Sequence, residues 1–311
     1  MPALGIDTSN YATSLAAFSR ENGVIFHRKR LLPVKEGALG LRQSEALFEH
    51  IKALPDMLGE LKTLPGLSEC EAVGVSVRPR DAEGSYMPCF LAGKNAAAAL
   101  AAGLNVPLLE FSHQAGHLAA ALYATPLFKE GRRRFYAFHV SGGTTEALLA
   151  DFSNPNYRTE LLAASLDVHA GQIIDRVGLG LGLAFPAGEA LSKLAEESGS
   201  GDCLRPSLKG DDCCLSGIEN KCADLLKTGA PAADIARYCL LSIGYALLEM
   251  TRRISEKGER LPFVFAGGVM QSGIIRDILK DAAEEAYFAE PAWLSADNAV
   301  GVAILASGAL L

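Results

Sequence analysis

His113 and His117 stand four residues apart in Phe111-Ser112-His113-Gln114-Ala115-Gly116-His117-Leu118. On a helix, residues at that spacing lie one turn apart on the same face, so two imidazoles can reach one metal ion. Ala119, Ala120, Ala121 and Leu122 follow, all good helix formers. A zinc protease of the H-E-x-x-H type needs a glutamate directly after the first histidine, to act as general base. Gln114 occupies that place and cannot take up a proton, so protease chemistry is not expected. Taken alone, the pair leaves two readings open: a metal pair, or two unrelated helical histidines. A carboxylate for such a site is present at Asp297, in Ser295-Ala296-Asp297-Asn298 ahead of an apolar final stretch. An aspartate there also suits an ordinary helix N-cap. Two imidazoles with one carboxylate are a frequent ligand set for iron or zinc with open positions.

A second kind of chemistry is suggested by three turns of small residues, each following an apolar strand. They are Asp7-Thr8-Ser9-Asn10, Ser141-Gly142-Gly143-Thr144-Thr145 and Ala266-Gly267-Gly268. Glycine lets backbone N–H groups approach an anion closely, and hydroxyls add donors. Two strand–turn–strand units plus one strand–Gly-Gly–helix unit describe the nucleotide-binding parts of a two-domain actin-like fold, with a hairpin from each domain gripping phosphates. Three ordinary tight turns are the alternative. The sequence contains no G-x-x-x-x-G-K-[ST] run, which excludes a P-loop.

The elements that would position these residues alternate. Strands are expected at Ala3–Ile6, Ala12–Phe18, Ala72–Val77, Val106–Phe111, Phe135–Val140, Glu146–Ala150 and Pro262–Phe265. Helical spacing of apolar residues covers 41–62, with Pro55 expected to end or kink the helix. Further helices are expected at Gly93–Leu104, Val168–Leu181, Gly188–Glu197, Ala232–Glu256, Ile274–Ala286 and Asn298–Leu310, with a long connection at Ser198–Gly217. Alternating strands and helices argue for α/β, and the repeated strand–turn–strand pattern for two related domains.

With 311 residues, 49% hydrophobic and 21% charged, the chain can bury two such cores. A formal net charge of −7 without a long basic tract disfavours strong unaided binding to nucleic acid. The short clusters His27–Arg30, Arg78/Arg80 and Arg132–Arg134 read as solvated surface. No signal-peptide pattern opens the chain, and no apolar run is long enough to span a bilayer. Seven scattered cysteines without a C-x-x-C pair fit reduced thiols in a cytoplasmic protein.

In this order the motifs resemble the family of tRNA threonylcarbamoyladenosine-synthesis transferases, formerly described as O-sialoglycoprotein endopeptidases or glycoproteases. The resemblance runs nearly end to end. It is carried by Leu4-Gly5-Ile6-Asp7-Thr8-Ser9, by His113-Gln114-Ala115-Gly116-His117-Leu118 and by Val140-Ser141-Gly142-Gly143-Thr144-Thr145. It continues through Leu166-Asp167 to Asp175, Leu181 to Gly188, Leu215-Ser216-Gly217, Ala266-Gly267-Gly268-Val269 and Asp297-Asn298-Ala299. The resemblance implies a duplicated two-domain α/β fold of the actin, sugar-kinase and Hsp70 type, with domains at 1–130 and 131–311 and the last helix able to pack back near the first. It implies a metal-dependent transferase that binds an adenine nucleotide and moves threonylcarbamoyl from its adenylate to N6 of a tRNA adenosine next to the anticodon.

Roles follow position by position. His113, His117 and Asp297 would hold one divalent iron or zinc, with His139 a candidate fourth ligand. Asp7, Ser9 and Ser141 would be catalytic. Ser141, Gly142, Gly143 and His139 would line the phosphate or carbamoyl end of ATP or an acyl-adenylate. Asp175 would accept from ribose hydroxyls. Gly188, Gly267, Gly268 and Ser272 would border the nucleoside. Such proteins meet tRNA with a partner protein and form homo- or heterodimers through N-terminal-domain helices, here the 41–62 segment.

The chain also departs from the pattern. Val168 stands for an acidic residue, His169 for a small one, Gln172 for glutamate and Ser272 for asparagine. Ile218-Glu219-Asn220 replaces Leu-Lys-Thr, Ala187 and Glu189 flank a single glycine of a Pro-Gly-Gly-Pro motif, and Arg78-Pro79-Arg80-Asp81 lacks a Gly-Pro-Gly segment. The metal set is kept while the nucleotide and tRNA sides are altered, as in a divergent paralogue. Altered polar contacts can redirect substrate choice. Two other functions stay open: a non-catalytic partner or regulator in a modification complex, and a carbamoyl- or phosphotransferase acting on another substrate.

Overall fold

The computed structural model describes residues 1–33, 41–153, 157–295 and 298–310. By its contacts the chain forms two units. The first comprises Met1–Gly131, Phe152–Asn156 and Trp293–Leu311, and the second Arg132–Asp151 and Tyr157–Ala292.

In the first unit, β1 (Pro2–Thr8), β2 (Ala12–Ser19) and β3 (Gly23–Leu31) make an antiparallel meander, the turn at 9–11 joining the first two. β4 (Ala72–Arg78) and β5 (Leu108–Ser112) then add in parallel, giving the order β3-β2-β1-β4-β5. Side chains alternate across a strand. Leu4, Ile6, Val73 and Val75 share one core with Ala53, Leu54 and Met57 of α1 (Gln43–Glu60) and Ala97 and Ala101 of α2 (Phe90–Leu104). The intervening positions are small: Ala3, Gly5, Ala72 and Gly74. Gly5 and Gly74 are partners in register. A Cβ on either would strike the final helix, at Ala299 and Ala303 for Gly5 and at Val302 and Ala306 for Gly74. The paired glycines thus make a shallow groove in the sheet. Beside the same helix lies α3 (His113–Tyr123), which leads to the short α4 (Pro126–Lys129).

The second unit repeats the plan. β6 (Arg134–Val140), β7 (Thr145–Asp151) and β8 (Arg158–Ala164) form the meander. β9 (Leu208–Lys209) and β10 (Asp212–Cys213) make a separate small hairpin. β11 (Phe263–Ala266) and β12 (Ala286–Phe288) continue the large sheet in parallel, giving β12-β11-β6-β7-β8. Tyr136, Phe138, Phe263 and Phe265 pack into a core with α5 (Ala170–Gly180), α6 (Gly188–Glu196), α7 (Ser216–Lys227), α8 (Ala232–Lys257) and α9 (Gly273–Leu279). α8 touches each of the other four. The last elements are α10 (Ala292–Ser295) and α11 (Asn298–Ala306), the helix seated in the first unit's glycine groove.

Several expectations change. α1 runs unbroken through Pro55. Proline removes the hydrogen bond to the carbonyl four residues back, but Ile51 and Pro55 both face outward, where water can satisfy that carbonyl. The helix expected over Ile274–Ala286 stops at Leu279, and Ala286–Phe288 instead pairs beside β11. The connection at 198–217 contains the β9–β10 hairpin and the start of α7.

Candidate functional site

The residues of the segment that closes β1 are tied to four helices. Thr8 Oγ1 donates to the Cys89 carbonyl and accepts from Gly93 N at 3.1 Å, holding the start of α2. The Ser9 carbonyl lies 2.8 Å from His50 Nε2 on α1. Asn10 Oδ1 accepts from Gln43 Nε2 at 2.9 Å, at the first turn of α1. Asp7, 2% exposed, faces α3 and α11.

The two histidines of α3 lie in its first turns. Ser112 caps the helix by accepting from Ala115 N at 3.1 Å, and donates its own hydrogen to Asp81 at 2.6 Å. His113 and His117 then meet edge to face, with their Nε2 atoms 3.0 Å apart. The other nitrogen of His113, Nδ1, is 2.8 Å from Asp7 Oδ1. Burial pushes the Asp7 carboxyl up, but the His113 charge and hydrogen bonds from His113, Ser76 and Asn298 outweigh it and hold it below the ordinary value. An ionised Asp7 only accepts, so His113 carries its proton on Nδ1. Its other nitrogen, Nε2, faces His117.

Asn298, 3% exposed, completes the cluster. Its Nδ2 donates to Asp7 Oδ1 at 2.7 Å and to Ser76 Oγ at 3.1 Å, which uses both hydrogens. Its 2.6 Å approach to His113 Nδ1 is therefore a packing contact. The sequence alone does not single out Asn298 or Ser76 as site residues. The available signal is the position of Asn298, immediately after the carboxylate candidate.

Two facing imidazole nitrogens, with a carboxylate behind the first, match the way metal-bound histidines are usually backed. The donor set fits a divalent metal in this respect. Asp297, the third expected ligand, lies outside the described residues. Among the described residues no group of three His, Cys, Asp or Glu side chains is arranged to hold an ion.

In the second unit, the Ser141–Thr144 turn is closed by Ser141 N donating to the Thr144 carbonyl at 2.7 Å, with Gly143 N donating to Ser141 Oγ at 3.3 Å. The N-terminus of α5 packs on it. Gly171 N donates to the Ser141 carbonyl, and Ala170 N to Thr145 Oγ1 at 2.9 Å. Gly267, at φ 102°, sits against the Val140 backbone, where a side chain would overlap. The structure thus brings Ser141, Gly142, Gly143, Gly267 and Gly268 together where the parallel strands β6 and β11 end. Ligands in open α/β sheets bind outside such carboxyl ends. Gly142, Gly143 and Gly268 all have open space beside Cα.

Asp175, on α5, accepts from Ala187 N at 2.9 Å, one residue before Gly188 opens α6. Burial raises its carboxyl above the ordinary value, with the Ala187 hydrogen bond acting the other way. Ser272 caps α9 without a side-chain cap bond, and its buried hydroxyl has no partner among the described residues. His139 lies within β6, opposite Glu146 of β7, and is 5% exposed. Val168 and Gln172 flank the entry to α5. The basic clusters are engaged in ion pairs: Arg28 with Glu60, Arg78 with Asp81, Arg132 with Glu285 and Arg134 with Glu259.

Two sheets of identical topology define a duplicated, actin-like α/β protein. Solved structures of this fold match across the chain. They include HypF of T. kodakarensis (TM-score 0.60, 15% identity, 99% of this chain and 48% of that one). Component A of the Acidaminococcus fermentans (R)-2-hydroxyglutaryl-CoA dehydratase matches similarly (0.59, 16%, 100% and 99%). The family model TsaD, described as tRNA N6-adenosine threonylcarbamoyltransferase, matches residues 38–304. A relative of that description from Thermus thermophilus is 30% identical over 313 residues, covering 98% of this chain and 92% of the relative. One from Pyrobaculum neutrophilum is 28% identical over 287 residues, covering 92% and 81%. The chain belongs to this transferase family.

Proposed function

We propose that the protein is a metal-dependent transferase that moves threonylcarbamoyl from its adenylate to N6 of a tRNA adenosine. The observation that carries this reading is the hydrogen-bonded arrangement Asp7–His113–His117, found in a chain of this family. His113 and His117 would hold one divalent metal through Nε2, with Asp297 as the third ligand. A bound iron or zinc would supply Lewis acidity toward a carbamoyl or phosphate oxygen. The chain's own groups do the rest. Asp7 fixes the His113 tautomer. Ser9 and Ser141 present hydroxyls at their turns. Backbone donors around Gly142 and Gly143 can meet developing negative charge. Oδ1 of Asp175 is used by Ala187, and its second oxygen would accept from a ribose hydroxyl. Gly188, Gly267, Gly268 and the Ser272 hydroxyl would border the nucleoside, and His139 would line the phosphate or carbamoyl end or serve as a fourth metal ligand.

With a net charge of −7 and its basic clusters paired, the chain would engage tRNA together with a partner protein. The outward Phe48 and Ile51 of α1 offer that contact, in a homo- or heterodimer. Among the described residues no helix is long and apolar enough to cross a membrane. All seven cysteines are free, which accords with a cytoplasmic setting.

Elemental analysis of the purified protein is expected to show about one equivalent of iron or zinc per chain, reduced at least tenfold in His113→Ala. Equal metal in both would defeat the metal assignment. Loss of threonylcarbamoyladenosine from tRNA nucleosides after gene deletion would identify the substrate. Unchanged nucleosides would point to another acceptor.

A further inference from the structure

His50 is fully buried, and the chemistry described above gives it no role. It belongs to the inward stripe of α1 with Ala46, Ala53, Leu54 and Met57. Both of its ring nitrogens are engaged, and their partners fix its tautomer. The Ser9 carbonyl can only accept, so Nε2, 2.8 Å away, carries the hydrogen. Nδ1 is then a bare lone pair that accepts from Thr13 Oγ1 at 2.8 Å. One imidazole therefore bridges the first residue of the β1–β2 turn and an early residue of β2. Gln43, two turns earlier on the same helix, holds Asn10 in the same turn.

An apolar residue would pack equally well in this stripe. A buried polar ring is tolerated only because both nitrogens are satisfied, and its removal leaves the Ser9 carbonyl unpaired. The turn it holds begins two residues after Asp7, whose carboxylate orients His113.

We propose that His50 is a positioning residue: through its Nε2–H bond to the Ser9 carbonyl, α1 sets the conformation of the Asp7–Asn10 turn for substrate. This rests on the reading that the turn faces an adenine nucleotide. The donor to Ser9 is the essential part, and the acceptor for Thr13 is secondary. Displacing a positioning group by about 1 Å costs up to a hundredfold in such sites.

The two nitrogens can be tested separately. Glutamine places an amide donor near the position of Nε2, whereas asparagine reaches only the position of Nδ1. ATP affinity by titration calorimetry should fall by about tenfold or more in His50→Asn and stay within about threefold in His50→Gln. Amide exchange of the 7–13 peptide should quicken in His50→Asn alone. Thermal midpoints should drop by similar amounts in both, and metal content should match wild type. A simple packing role predicts that the two variants behave alike in ATP affinity and exchange, and that result would overturn the proposal. If wild-type protein binds metal but no ATP, the nucleotide reading fails. The exchange comparison then decides the role of His50 alone, with equal exchange in the two variants rejecting it.

Discussion

Asp7 shows how surroundings narrow what a side chain can do. A carboxylate after an apolar strand could contact substrate directly. Here burial and its polar neighbours hold it against His113, where it accepts a hydrogen from Nδ1. Asp167 is the contrasting case, a carboxylate whose work is structural. It accepts from Leu215 N at 2.8 Å and Ser216 N at 3.1 Å, capping α7, and from Val168 N at 2.7 Å. Burial acts to raise its pKa, but the bonds from Ser216, Leu215 and Val168 prevail and hold it at about 2, against an ordinary 3.8. A depressed folded-state pKa stabilises above the unfolded value and ceases to do so as pH falls through the folded one. The contribution of Asp167 is therefore complete above about pH 4 and lost toward pH 2. Thermal melts should show the gap between wild type and Asp167→Asn closing across that window. A gap that stays constant from about pH 6 to about pH 2 would refute the cap.

At the scale of elements, the contact between α3 and α11 decides most. Gly116 of the His-Gln-Ala-Gly-His segment faces Gly301, and a Cβ on Gly301 would overlap the Gly116 carbonyl. This closeness lets Asn298 reach Asp7 and His113. Gly301→Ala should destabilise by about 1–3 kcal/mol or more, since a packed core resists added atoms. Gly268→Ala, with open space beside it, should change stability by about 0.5 kcal/mol or less. Denaturant titration of both checks the contrast, and equal effects would refute the close-packing account. The helix carrying His113 and His117, the strand before each turn and the long α8 are legible in the sequence because each has a strong apolar pattern or an unambiguous turn. β3 and β8 are not. Both are outer strands of their sheets, and most of their residues are only partly covered. Their sequences therefore lack the alternation that marks a half-buried strand. β12 is not legible either, and the helix expected over Ile274–Ala286 runs into its first residue, because its pairing with β11 and the stacking of Phe288 on Phe265 at 5.2 Å are long-range facts. His50 escapes a sequence reading for a similar reason: its partners are 37 and 41 residues away.

At the scale of the molecule, the first unit is assembled from both ends of the chain. α11 brings Ala299, Val300, Val302, Ala303 and Ile304 to complete burial, and lies against β1, β2, β4 and α3. Burying a valine or isoleucine side chain is worth about 1.5–3 kcal/mol, so three of them approach the whole margin of a typical domain. The second unit's core, among the described residues, is built from β6, β11 and the helices around α8. A chain ending at residue 295 should therefore lose hydrogen-exchange protection throughout β1, β4 and α3. The strands β6 and β11 and helix α8 should stay protected. The truncation also removes Asp297 and Asn298, so the proposed metal should be lost with them. The single substitution Asn298→Ala separates the two effects: it keeps the apolar face of α11, so protection in β1 and β4 should persist while the support of Asp7 and His113 is lost. Uniform loss of protection in both units on truncation would mean that the two fold as one cooperative body, and would refute the independent cores described here.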